Sequence, residues 1–216
     1  MDKLILTFTP KQHEKYLQLR AKEIDALNFD TSLAEFETYS QDILKNSLSS
    51  ICAECERLLT FYDSKAFFTS LSEKDTQKLI PVYFDVINNI EKQRKKLYSE
   101  SIRTTKIFMN AEKLCADISK KYNDFLPYKA AFYNNEKFKN EILETDDKFL
   151  KSIEKAQAFR SDIANYLNSI SIVCDEYIPE FYKKSSSASD SPKFKGFKAN
   201  EFFASVITFV TQLKTI

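Results

Sequence analysis

Four cysteines, one histidine and two dense basic stretches are the places where this chain could do chemistry. Cys52-Ala53-Glu54-Cys55 is a C-x-x-C. A thioredoxin-like redox motif needs a strand-and-helix setting, whereas these residues stand inside a helical pattern. On a helix, i and i+3 share a face, so two thiolates there form one edge of a zinc site and two more ligands must come from elsewhere. Cys115 and Cys174 are the remaining thiols. Free cysteine is more commonly a small buried hydrophobe, and Cys55, Cys115 and Cys174 fall on apolar faces. The expectation is four reduced thiols, no metal and no cofactor.

His13 is the only histidine. A Ser–His–Asp triad or a Cys–His dyad would have to use it, yet no Ser or Cys is near it in sequence. Di-iron bundles need a Glu-x-x-His from each of two helices, and H-E-x-x-H metalloproteases need two histidines. Both are excluded. The lone glycine, Gly196, excludes G-x-G-x-x-G, Walker and G-x-S-x-G loops, each of which needs at least two. Carboxylates such as Asp146-Asp147 and Glu141 with Glu144 read as solvated groups near helix ends. No catalytic residue and no small-molecule substrate emerges, so the chain is expected not to be an enzyme.

The basic stretches point to binding. Lys92, Arg94, Lys95 and Lys96, followed by Arg103 and Lys106, form the densest one. Such a patch suits phosphate headgroups, nucleic acid or an acidic partner; a solvated face is the plainer reading. Lys193-Phe194-Lys195-Gly196-Phe197-Lys198 interleaves lysine with phenylalanine, as in a hook for an acidic surface or a membrane interface. The net charge is only +1, with 32 basic and 31 acidic residues, which disfavours nucleic acid as the main partner.

The elements that must position these groups are helices. A domain normally has about 7 % glycine; a chain with one has few tight turns. Thr9-Pro10-Lys11-Gln12 reads as a capping box with Pro at N1, opening a helix to about Asn28. Ser32-Leu33-Ala34-Glu35 is a second start, and Ser72-Glu73-Lys74-Asp75 a third. Leu44, Leu48, Ile51, Cys55, Leu58 and Tyr62 alternate four and three, a coiled-coil-like seam. A long seam runs from Tyr83 to Phe125, thinnest around 93–101. Pro81 either ends a short helix or kinks a long one. After Pro127, a helix over 128–143 and another capped by Thr145 are expected, the latter with Phe149, Ile153, Ala156, Ile163, Leu167 and Ile170 inward and Arg160 out of character. Pro179 should bend or stop it.

These features predict an all-α fold: an elongated antiparallel bundle with three long, proline-kinked helices. Residues 1–183 form the bundle, opening on an extended apolar segment over 1–10. Residues 184–199 form a Ser/Lys-rich linker, in which Ser185–Ser191 is expected to be the most mobile internal segment. Residues 200–216 form an apolar tail, helix favoured over a strand paired with Leu4–Phe8, docking on the bundle or on a partner. Met1–Thr9 has no small-residue cleavage site, no run approaches the ~18 apolar residues of a membrane span, and the thiols suit a cytoplasmic protein. The expected function is a non-enzymatic interaction or scaffold protein, with a protein partner or a homo-oligomer covering leftover seam. The alternative is a membrane-associated bundle that uses the basic patch and the apolar tail.

Overall fold

A computed structural model describes residues 9–29, 34, 36–62, 72–126, 136–188 and 198–216. Among them there is no strand, and the fold is an all-α helical bundle. Helix α1 covers Pro10–Ala26, α2 Gln41–Leu59, α3 Glu73–Phe125, α4 Glu136–Ser171, α5 Ile178–Ala188 and α6 Ala199–Leu213. A π-helical turn, Phe36–Ser40, leads into α2, and another, Ile172–Tyr177, joins α4 to α5. Residues 1–8 of the extended segment expected over 1–10, the start at Ser32, the break at Pro127 and most of the Lys193–Lys198 motif lie outside the described residues.

Local chemistry explains where the helices start and stop. Thr9 Oγ1 accepts from the Gln12 amide at 3.3 Å, and the Thr9 amide donates to Gln12 Oε1 at 2.8 Å, a complete capping box with Pro10 behind it. Ser72 supplies half of that device: its Oγ accepts from the Asp75 amide at 3.1 Å and donates to Asp75 Oδ2 at 2.6 Å. The C-caps Leu27, Thr60 and Lys214 all keep right-handed backbone, with φ of −82°, −63° and −75°. These three helices therefore end without a left-handed glycine.

At Pro81 the long-helix alternative holds, with α3 running through it for 53 residues; other expected boundaries are corrected. Proline removes one N–H and frees the carbonyl four residues earlier, that of Gln77; Gln77 and Pro81 are both exposed. Thr145 does not cap a new helix, because α4 is continuous across it. Nor does Pro179 stop the chain. The Ile178 amide bonds the Val173 carbonyl five residues back, and α5 follows with Pro179 in its first turn. The helix also continues to Ala188, inside the segment that composition marks as linker. Ser185 is buried there and its hydroxyl lies 3.0 Å from that of Tyr83. Helix α6 begins at Ala199, after Lys198 at its N-cap.

The chain divides into two compact units. Unit one contains α1, residues 105–125 of α3 and residues 136–164 of α4. Its core joins Leu27, Cys115, Ile118, Tyr122, Phe149 and Ala156, with Tyr16 and Ile142 in a smaller cluster. Unit two contains α2, residues 73–104 of α3, the end of α4, the second π turn, α5 and α6. Here α6 packs on α5, on α2 and on the π turn. Phe209 stacks on Phe181 with centroids 4.5 Å apart and planes within 4°. Phe202 meets Tyr83 at 5.6 Å, and Phe203 meets Tyr62 at 5.3 Å. The apolar tail is thus a helix in the core of its own unit. Among the expected seam residues, Ile51, Leu58, Ile163 and Ile170 are buried, whereas Leu48, Ile153 and Leu167 are half-buried.

Candidate functional site

Along residues 90–104 of α3 the inward positions are Ile90, Leu97, Glu100 and Thr104. The seam that thins in sequence around 93–101 therefore continues with polar side chains at the same helical spacing. Glu100 is 6 % exposed and accepts from Arg103 at 2.7 Å, from Ser40 Oγ at 2.9 Å and from Thr104 Oγ1 at 3.2 Å. Burial would raise its carboxyl pKa, but the hydrogen bonds from Arg103 and Ser40 and the guanidinium charge outweigh burial and hold it below the ordinary range. The Arg103 guanidinium also lies over the Tyr39 ring at 4.6 Å. Ser40 ends the first π turn, so this network ties that turn to α3.

A second network faces the other π turn. The Tyr98 hydroxyl donates to Asp175, which also accepts from Ser171 Oγ at 3.0 Å. The hydrogen bond to Asp175, aided by burial, raises the Tyr98 pKa. Arg94 lies over the Tyr98 ring at 5.5 Å and pairs with Glu91 at 3.7 Å, and Tyr182 donates to Glu91 at 3.3 Å.

These contacts divide the predicted basic patch. Arg94 and Arg103 belong to networks within unit two. Lys92, Lys95 and Lys96 are exposed, with Lys92 donating only to Asn89 at 3.1 Å. Lys106 is also exposed and lies in unit one. What the sequence reading left out is the apolar companion of the lysines. Ile102 is 61 % exposed, seven residues after Lys95 and therefore on the same helical face, with Tyr98 and Ser99 between. The signal was present, since Ile102 lies off the seam defined by Ile90 and Leu97. Lys198 pairs with Glu201 at 3.2 Å. Lys193, Phe194, Lys195 and Phe197 lie outside the described residues.

Unit one holds the chemistry that sequence reasoning missed. Arg20 is 1 % exposed, pairs with Glu23, and has its guanidinium 4.7–5.3 Å from the ring centroids of Tyr16, Tyr122, Phe125 and Phe149. The Tyr16 hydroxyl donates to Asp146 at 2.5 Å. Burial and then Asp146 push the Tyr16 phenol well above its ordinary pKa, so it stays a donor. Asp146 is thus a buried acceptor, not the solvated helix-end acid expected. The inward face of α1 reads His13, Tyr16, Arg20, Glu23, Leu27. Its spacing is as regular as any seam, but its polar members hid it. Arg160, also unexpected in a seam, is half-buried and pairs with Glu112 at 3.0 Å.

Cys55, Cys115 and Cys174 are buried and Cys52 is half-exposed. Burial raises every one of these thiol pKa values, that of Cys174 to about 12, so none is an activated thiolate. Among the described residues no three His, Cys, Asp or Glu side chains gather to hold a metal, and no helix is long and apolar enough to cross a membrane. No protein-family model, no curated protein and no solved structure matches this chain.

Proposed function

We propose that this protein acts without catalysis, as a helical interaction module that binds a protein partner through the exposed face of α3 in unit two. The observation that carries this reading is Ile102, a large apolar side chain 61 % in water, on one helical face with the exposed Lys95, with exposed Lys92 and Lys96 on the same stretch of α3. An apolar anchor with cations roughly two to three helical turns before it on the same helix fits an acidic partner surface with a small apolar pocket. The anchor supplies desolvation energy and the lysines supply steering. The other strongly perturbed groups support the reading, because Glu100, Tyr16 and the buried thiols are engaged in holding helices together.

A photo-reactive residue at Ile102, compared with one at exposed Asn88, tests this in cells. The expected result is a defined protein adduct from position 102 alone, lost in Lys95→Glu/Lys96→Glu. A second copy of this chain in the adduct would identify a homo-oligomer. The competing membrane reading predicts instead no adduct and sedimentation with phosphatidylserine vesicles, abolished by the same charge reversal; that outcome overturns the proposal. The burial of Phe202, Phe203, Phe209 and Leu213 within unit two favours the protein partner, since those side chains are already covered.

A further inference from the structure

Unit one contains a cavity of about 530 Å³ between the C-terminal turn of α1 and the middle of α4. That size is within the range of roughly 300–1,000 Å³ typical of small-molecule sites. Its floor is apolar. Leu27, Ala156 and Phe159 line it, and the Phe29 ring closes on Phe159 with centroids 5.3 Å apart. Its rim is cationic, because Lys148, Lys151 and Lys155 follow one face of α4 at i, i+3 and i+7.

We infer that this cavity binds a single-chain amphipathic anion of the fatty-acid type, with its tail on Leu27, Ala156 and Phe159 and its carboxylate at Lys151 and Lys155. Charge selects the ligand class: three ammonium groups stand against Asp162 in the lining. The cations are available. Lys155 has no ion-pair partner among the described residues. Lys151 pairs with Asp147 and Lys148 with Glu144, both at 2.7 Å, but these are exposed i,i+4 pairs. Such exposed pairs contribute little and yield readily to a ligand carboxylate. The apolar floor requires a tail as well as a charge, since a simple anion would leave it wet. Ser152 on the rim adds a hydroxyl within the same lining.

The test is calorimetric titration of the full chain with dodecanoate below its micellar concentration. Dodecanol supplies the tail without charge, and acetate the charge without tail. The expected result is saturable binding of one dodecanoate per chain, clearly weaker dodecanol binding and none for acetate. Lys151→Glu/Lys155→Glu should raise the dodecanoate Kd at least about ten-fold, whereas Lys45→Glu/Lys183→Glu, the same charge change in unit two, should leave it unaltered. All four lysines are exposed, and matching melting curves establish that the variants fold. No saturable dodecanoate binding, equal binding of dodecanol, equal binding of acetate, or an unchanged Kd in Lys151→Glu/Lys155→Glu would each overturn the inference.

Discussion

Glu100 occupies a position on α3 where a leucine would continue the apolar face, and it is held there as a carboxylate. Its stability contribution has a definite sign with pH. A native pKa below the unfolded value means that folding favours the ionised form. The contribution is therefore complete above the ordinary glutamate pKa of about 4.3 and is lost as pH falls through the depressed native value. Glu100→Gln keeps the shape and removes the charge. It should cost stability at neutral pH toward the lower end of about 1.5–3 kcal/mol, because Arg103 is 45 % exposed and screened by water. It should also flatten the acid limb of the profile of urea midpoint against pH. A variant whose midpoints follow the native profile at every pH would show that the depressed carboxyl is not what stabilises the π turn at Ser40. The sequence made Arg103 look like a free surface cation, because two of its three partners are remote along the chain. Glu100 is three residues away, but Ser40 and Tyr39 are more than sixty away.

At the scale of the element, periodicity and capping chemistry were legible wherever the signal is local. The start of α1 at Thr9 and that of α3 at Ser72 rest on contacts within four residues. The boundaries that were misread, at Thr145 and Pro179, depend on what lies across the helix. Asp146 is buried because Tyr16 reaches it from α1, so the polar pair after Thr145 imitated a helix start. The π turn at Ile172–Tyr177 shifts the hydrogen-bond register just before Pro179, and nothing in composition announces that. Helix α6 shows the opposite case. Its β-branched run suited a strand, yet the apolar stripe of Phe202, Val206, Phe209 and Leu213 keeps helical spacing, and packing decided the outcome. That packing predicts a large effect from one truncation. Phe209→Ala removes the ring stacked on Phe181 and should cost about 3–5 kcal/mol in equilibrium unfolding. A loss below about 1 kcal/mol would mean that α6 is docked loosely and that the exposed Ile207 belongs to a binding face.

The two units bury different kinds of core, and this should appear as a difference in local stability. Unit two buries aromatic side chains of α6 against α5 and α2. Unit one buries Arg20, Glu23 and Asp146 among its rings, and Arg20 Nε and Glu23 Oε1 have no hydrogen-bond partner among the described residues. Buried ion pairs recover only part of their desolvation cost, and unsatisfied buried atoms add to it. All-α architecture was readable from glycine scarcity and seams, since both are properties of the whole chain. The division into units was not, because α3 and α4 each run through both and no break in composition marks the change. Native-state hydrogen exchange resolves them. Peptides from α1 should lose protection at lower urea than peptides from α6, each helix opening with its own unit. Arg20→Met should then lower the protection of α1 by about 3–5 kcal/mol, because it leaves Glu23 buried and unpaired. Protection of α6 should be unchanged. Adding Glu23→Leu should restore most of the loss, since two apolar groups replace the pair without stranding a charge. Equal urea midpoints for α1 and α6, together with equal losses in Arg20→Met, would show one cooperative unit whose ionic core sets the stability of the whole chain.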